Sequence, residues 1–161
     1  MRGNIDTRLN KLDNGQYDAI ILASAGLNRL GWGDRITEEI PYNILLPAMG
    51  QGALGVESRS NDTPVNEIIS KLDHRETHYA VNAERALVDA MDGGCQVPIG
   101  AYATVNKELI TVRGLVASLN GESIYKSEKI GPIYKAIVIG HDLGNELLKM
   151  GADEVLKNVL Q

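Results

Sequence analysis

The C-terminal fold is decided by residues 99–130, which read IGAYATVNKELITVRGLVASLNGESIYKSEKI. Three runs in this stretch are rich in β-branched and aromatic residues and are separated by polar breaks: 99–105, 109–118 and 123–130. The last break contains Asn120-Gly121, a strong local signal for a tight hairpin. Because connections this short join neighbouring antiparallel strands, the stretch predicts a three-stranded antiparallel meander.

Segments with apolar residues at helical spacing come before and after the three predicted strands in the sequence. One helix runs from about residue 75 through Met91, and its predicted inner face is Ala80, Ala83, Leu87 and Met91. A long helix near 134–150 is predicted to bury Ile137, Gly140, Leu143, Leu147 and Leu148, and a short one follows near 152–159. Residues 75–161 are therefore predicted to form a small α+β domain with a three-stranded antiparallel sheet and helices on one face.

The first 50 residues have the pattern of an α/β domain. A helix over 5–14 is indicated by Ile5, Leu9 and Leu12, between the N-cap candidate Asn4 and the stop signal Gly15. The apolar run Asp18–Ala23 predicts a strand buried on both faces, and Ser24-Ala25-Gly26 opens another helix. Residues 1–50 are therefore predicted to be the C-terminal half of an α/β domain, with anion-binding helix N-termini at the carboxyl end of the strand.

Residues 51–74 are predicted to be a hinge followed by a helix. Glycines interrupt the apolar runs of 45–57, which indicates extended crossing segments rather than a compact module. Asp62 or Thr63 then caps a helix with Pro64 in its first turn. The buried stripe of this helix is predicted to be Val65, Ile68, Ile69 and Leu72.

Composition excludes several classes of function. One cysteine among 161 residues excludes an internal disulfide and a structural zinc site with several thiolates. A net charge of −5 provides no basic field for nucleic acid. No apolar run is long enough to span a bilayer, and the N-terminus does not resemble a secretory signal. We therefore expect a cytoplasmic protein without metal, nucleic-acid or membrane partners.

Cys95 is the first candidate for chemistry. It follows two glycines and precedes Gln96-Val97-Pro98, in a loop whose backbone freedom favours access to the thiol. The residue pattern alone, however, favours an inert, buried thiol. No motif pairs Cys95 with His74, His78 or His141, so thiol-protease chemistry is not indicated.

Arg2, Arg8 and Arg29 are candidates for binding an anionic ligand. Arg8 falls in the first turn of the first helix, where the helix dipole disfavours a cation. Arg29 lies one turn into the helix that begins at Ser24, whose backbone N–H groups can bind an anion. Guanidinium groups in such places suit a ligand with several carboxylates. A solvated ion pair of Arg8 with Asp6 is the structural alternative.

Five segments, in order along the chain, closely resemble the hydroxymethylbilane synthase (porphobilinogen deaminase) family. They are residues 2–9, 17–23, 25–30, 46–55 and 93–102, that is RGNIDTRL, YDAIILA, AGLNRL, LPAMGQGALG and GGCQVPIGAY. The last segment is similar to the cofactor-attachment loop of that family. The five motifs follow one another in register from residue 2 to residue 102.

The resemblance implies an enzyme that condenses four porphobilinogen units, with loss of ammonia, onto a dipyrromethane cofactor held by Cys95 through a thioether. By motif match, Arg2, Arg8 and Arg29 would bind the carboxylates of the cofactor and of the growing polypyrrole. Residues 75–161 would be the cofactor-attachment domain. Residues 1–50 would belong to a type II periplasmic-binding-protein-like domain, and the helix within 51–74 would return to the family's first domain.

Members of the family carry about as much again before the first matching residue, including an aspartate that assists proton movements. The resemblance therefore assigns no catalytic residue to this chain and predicts that the chain alone does not turn over porphobilinogen. A missing N-terminal half or a second copy would be its protein partner. Two other functions stay open here: a non-catalytic carboxylate-binding module and a structural fragment.

Overall fold

The computed structural model describes residues 1–92 and 98–159. The chain divides into two compact units, Met1–Pro41 and Tyr42–Gln161. The division into 1–50, 51–74 and 75–161 stays a prediction. Within the described residues, no helix combines the length and the apolar character needed to cross a membrane.

The first unit contains helices α1 (Ile5–Asp13) and α2 (Ser24–Arg29) and a 3-10 turn over Gly33–Arg35. The predicted cap of α1 is confirmed, because the Asn4 side chain accepts a hydrogen bond from the Thr7 N–H at 2.9 Å. α1 ends before Gly15, whose φ of +69° is the left-handed conformation expected of a helix-stop glycine. The two helices meet at Gly26, where an added methyl group would lie 2.9 Å from the Ile5 side chain.

The predicted strand over residues 18–23 is wrong. This segment belongs to no sheet of the described residues, and Ile21 near its centre is 68% exposed. A strand exists only through hydrogen bonds to a neighbouring strand. The first unit supplies no such neighbour in its described residues, so an apolar run that has the composition of a buried strand stays irregular.

The second unit contains α3 (Thr63–Ile69), α4 (Arg75–Asp89), β1 (Ile99–Asn106), β2 (Leu109–Ala117), β3 (Ile124–Pro132), α5 (Ala136–Leu147) and α6 (Asp153–Val159). The three strands form one antiparallel sheet in the order β1-β2-β3, which confirms the predicted meander. A π-turn over Leu148–Ala152 separates α5 from α6, and Gly151 adopts φ +113° at this kink. The predicted helices are confirmed with shifted ends.

One face of the sheet packs against α4 and α5. The fully buried side chains of this core alternate along β2 and recur at helical spacing on the two helices: Ile110, Val112, Val116, Leu87, Leu143 and Leu147. Gly114 of β2 also faces the helices, since an added methyl group would lie 2.7 Å from Leu87 and 2.8 Å from Leu147. The small α+β domain with helices on one face is therefore confirmed.

α4 and α5 approach closely at two glycines one turn apart. A methyl group on Gly140 would overlap the carbonyl oxygen of Ala83. On Gly144 it would lie 2.6 Å from the carbonyl oxygen of Leu87 and 2.8 Å from the Ala90 side chain. The backbones of the two helices can pack at this distance only because both positions of α5 lack a side chain.

Two of the predicted buried faces are wrong. Val65 and Ile68 of α3 are 40% and 66% exposed, and Leu72 in the 3-10 turn after α3 is 70% exposed, because no described element packs over the predicted stripe. On α5, Ile137 is 60% exposed. The buried stripe of α5 begins at Ala136 and continues through Ile139, Gly140 and Leu143 at helical spacing. Ile137 lies beside this stripe rather than within it.

Candidate functional site

Arg8 has the most constrained of the three candidate guanidinium groups. Its Nε donates a hydrogen bond to the Gly3 carbonyl at 2.8 Å. Gly3 adopts φ +122°, and an added methyl group would lie 2.7 Å from the Thr7 side chain, so glycine is required to present this carbonyl. None of the ion pairs among residues 1–92 and 98–159 joins Arg8 to Asp6. The Nη edge of Arg8 can therefore bind a carboxylate from a ligand.

Arg2 and Arg29 are both exposed. The Arg2 backbone carbonyl accepts a hydrogen bond from Lys11 Nζ at 3.3 Å, which holds the chain near α1. Arg29 is the last residue of the six-residue helix α2. Arg8 and Arg29 each lie three residues beyond the Ile5–Gly26 contact between the two helices. A shared carboxylate-binding surface for the three arginines stays a prediction.

Cys95 lies outside the described residues, so its predicted exposure is untested. The described residues on either side of 93–97 are held by the second unit. α4 leads to Met91, which is buried, and Asp92 follows with φ +50°. After the gap, the Pro98 carbonyl accepts a hydrogen bond from the Ala117 N–H of β2 at 3.1 Å. The described residues that border 93–97 are therefore held by α4 and by β2.

Glu84 of α4 is a buried acid that the sequence interpretation passed over. Its side chain is 5% exposed, and both carboxylate oxygens accept backbone hydrogen bonds: Oε1 from the Ala103 N–H at 2.8 Å and Oε2 from the Gly50 N–H at 2.7 Å. Burial raises the pKa of Glu84, while the two N–H donors lower it and so offset part of that rise. The sequence does contain a signal that Glu84 is buried, because this charged residue lies next to Ala83 and one turn before Leu87, within the predicted apolar face of the helix.

Tyr102 of β1 lies beside this acid and forms the second polar feature that the sequence did not reveal. Its ring stacks on that of Tyr42, with centroids 3.8 Å apart and planes inclined by 20°. Burial, followed by the proximity of Tyr42, raises the pKa of Tyr102 to about 12. The Tyr102 hydroxyl therefore stays protonated at neutral pH. In the sheet register Tyr102 faces Arg113, whose Nε contacts Glu128 at 2.9 Å.

Two family models match the chain in succession. A model described as porphobilinogen deaminase, dipyromethane cofactor binding domain, matches residues 1–67, the part that contains Arg2, Arg8 and Arg29. A model described as porphobilinogen deaminase, C-terminal domain, matches residues 78–149, which include most of α4, the three strands and α5. The two matches are separated by residues 68–77, which run from the end of α3 into the first turn of α4.

Curated relatives give the same result over almost the whole chain. Porphobilinogen deaminase of Buchnera aphidicola subsp. Acyrthosiphon pisum (strain APS) is 50% identical over 159 residues, 99% of this chain and 51% of the relative. The enzyme so named in Vesicomyosocius okutanii subsp. Calyptogena okutanii (strain HA) is 47% identical over 98% of this chain and 52% of the relative. That of Syntrophobacter fumaroxidans (strain DSM 10017 / MPOB) is 46% identical over 99% and 52%. The chain thus spans about half the length of the curated relatives it matches, and it belongs to the porphobilinogen deaminase family.

Proposed function

We propose that the protein built from this chain is a hydroxymethylbilane synthase, a transferase that condenses four porphobilinogen units, with release of ammonia, on a covalently held dipyrromethane. The observation that carries the proposal is the succession of two porphobilinogen deaminase family matches, supported by relatives at 46–50% identity. Because those relatives are about twice as long, the activity belongs to the whole protein. The chain alone is expected to be inactive.

The arginines of the first unit suit a ligand that carries several carboxylates. Arg8 is oriented by the Gly3 carbonyl through Nε, which leaves its two Nη nitrogens for a bidentate contact. Arg2 and Arg29 are exposed and can reach a ligand from solvent. The roles of Arg2, Arg8 and Arg29 in binding the acetate and propionate groups of the cofactor and the polypyrrole therefore rest on this chemistry and on the family match.

Cys95 is proposed to hold the dipyrromethane through a thioether. A thiolate is a soft nucleophile, and a carbon–sulfur bond resists hydrolysis better than an ester would. When bound, the dipyrromethane supplies the free pyrrole α-position on which the chain of pyrroles grows. The described residues on either side of 93–97 are anchored by the α4 core and by the Pro98–Ala117 hydrogen bond, which suits a tether for a growing product.

In the proposed enzyme a partner must cover exposed apolar residues of both units. Ile21, Leu54, Ile68 and Leu72 are each more than 60% exposed, which is unusual for aliphatic residues in such number. The N-terminal half present in the relatives is the proposed cover, with a second copy of this chain as the other partner. With that half in place, residues 1–50 would belong to a type II periplasmic-binding-protein-like domain. The catalytic acid would lie in the same half, and the protein would act in the cytoplasm.

The experiment uses a protein of family length that contains these 161 residues. It is incubated with porphobilinogen while ammonia release and uroporphyrin formation are followed, and its mass is compared with that of the Cys95→Ser variant. We expect turnover and an added dipyrromethane mass on the peptide that contains Cys95, and neither in the variant. Carboxylate binding without ammonia release would instead identify a non-catalytic binding module.

A further inference from the structure

The carboxylate of Glu84 joins three separate parts of the second unit. It belongs to α4, and its oxygens bind the N–H of Ala103 in β1 and the N–H of Gly50 in the connection before α3. Glu84 is the single charged side chain among the buried residues of the described chain. Removing a carboxylate from water is costly unless its oxygens are well bonded, and two short bonds from backbone N–H groups meet that condition.

Residues 42–50 are attached to β1 at further points. The Pro47 carbonyl accepts a hydrogen bond from the Ala101 N–H at 3.0 Å, and Tyr42 stacks on Tyr102. Leu46 lies so close to β1 that a methyl group on Gly100 would approach its Cβ to 2.9 Å. Together with the Glu84–Gly50 bond, these contacts hold the connection along β1 from Tyr42 to Gly50.

The attachment stops immediately after Gly50. Leu54 is 81% exposed and Val56 58% exposed, and a methyl group added at Gly55 would meet no atom within 4 Å. Gly50 and Gly52 both have positive φ, at +68° and +87°, so the chain turns sharply at this point. Glu84 therefore bonds the last residue of the held segment.

We propose that Glu84 is a positioning residue that fastens residues 42–50 to the edge of the C-terminal domain, so that bending of the predicted hinge is confined to residues 51–57. Glu84 also connects α4 and β1, the two elements that flank the segment of Cys95. In the proposed enzyme it would thereby keep the described residues that border 93–97 and residues 42–50 in one rigid body. Only this consequence rests on the proposed function, since the attachment is a property of the chain itself.

The test measures amide hydrogen exchange by NMR in the 161-residue chain and in its Glu84→Gln variant. The glutamine side chain has one acceptor oxygen, so it can accept a hydrogen bond from only one of the two backbone N–H groups. Its NH2 group would face the second backbone N–H, donor against donor. We expect exchange of the Gly50 and Ala103 amides to accelerate roughly tenfold or more, while Val112 in the centre of the sheet keeps its protection. A merely structural role would change all three amides together.

Glu146→Gln is the matched control, because Glu146 is bonded to Ser127 and Lys129 of the same domain and not to the connection. Its Gly50 exchange should equal that of the unmodified chain. If Glu84→Gln does not fold, Glu84→Asp replaces it, since a carboxylate one methylene shorter cannot bridge both N–H groups. Unchanged Gly50 exchange in a folded Glu84 variant would overturn the proposal without affecting the proposed enzymatic function.

Discussion

Substituting the glycines of α5 tests the close approach of α4 and α5 in a graded way. Gly144→Ala places a methyl group 2.6 Å from the Leu87 carbonyl oxygen, whereas real Cβ atoms essentially never come within 3.0 Å of another atom. The helices must therefore separate by about half an ångström. Gly140→Ala overlaps the Ala83 carbonyl outright and requires a larger separation. Neither obstacle can rotate aside, because both are backbone atoms.

Two opposing terms decide the size of the effect. Replacing glycine by alanine within a helix normally stabilises it by about 1 kcal/mol. Overpacking a tight core costs about 1–3 kcal/mol and sometimes more. Leu87, Leu143 and Leu147 are fully buried at this contact, so that separating the helices loosens all three. We expect a net loss of about 1 kcal/mol for Gly144→Ala and about 3 kcal/mol for Gly140→Ala.

Urea unfolding followed by circular dichroism measures the series, with Gly55→Ala as the control. Gly55 has open space around it and should change the free energy of unfolding by less than about 0.5 kcal/mol. With a slope of about 2 kcal/mol per molar urea, Gly140→Ala should lower the midpoint by roughly 1.5 M. A midpoint for Gly140→Ala equal to or above that of the unmodified chain would show that the helices are not packed as described.

Four further predictions concern the site and the charges. Cys95→Ser in the family-length protein should abolish pyrrole attachment, and a cofactor mass on the serine variant, seen by mass spectrometry, would contradict the thioether assignment. Arg8→Ala and Arg29→Ala should each slow polypyrrole elongation severalfold and leave the urea midpoint of unfolding unchanged. Lys135→Ala is the control, and equal elongation rates in the three variants would show that neither arginine binds the polypyrrole. Lys129 and Ser127 lower the pKa of Glu146, so its stabilising contribution is present above its ordinary value of 4.5 and is lost as the pH falls through the lowered pKa. Glu146→Gln should therefore unfold at lower urea than the unmodified chain at pH 7, and this difference should shrink as the pH falls below 4.5, so a difference that stays constant would refute the assignment. The 161-residue chain alone should release no ammonia from porphobilinogen in repeated cycles, because the proposed proton-transferring acid would lie in the half of the relatives that this chain does not match; sustained turnover without a partner would contradict this prediction.

The C-terminal domain was predictable from sequence because its elements complete one another within the chain. Asn120-Gly121 marks the hairpin, and Ala83 and Leu87 mark the face of α4 that packs on the sheet. The strand over 18–23 and the buried stripe of α3 were predicted from equally clear patterns, and both predictions were wrong. An apolar pattern indicates which surface must be buried, but it does not show whether the same chain contains the element that buries it. Family resemblance identified Arg8, but it could not show that the Gly3 carbonyl orients its guanidinium.

Glu84 escaped the sequence interpretation for a different reason. A charged residue on a helix is usually solvated, and nothing local in the sequence indicates that its partners are the N–H groups of Gly50 and Ala103, 34 and 19 residues away. Because the partners are backbone N–H groups, which nearly every residue has, no side-chain type in the sequence marks the residues to which Glu84 bonds. The position of Glu84 within an apolar helix face could have marked it as buried, but its bonding partners become recognisable only when the fold is known.

The hydrogen bonds along β1 also decide where this sheet can grow. The N–H groups of Ala101 and Ala103 are already bonded to Pro47 and Glu84, so a strand from another molecule finds these donors occupied. β3 is the other edge of the sheet, and its exposed Lys126 and Glu128 are charges of the kind that discourage strand addition. Addition of a strand from another molecule is therefore disfavoured at both edges of the sheet. At β1 the N–H donors are already bonded, and at β3 the exposed side chains are charged.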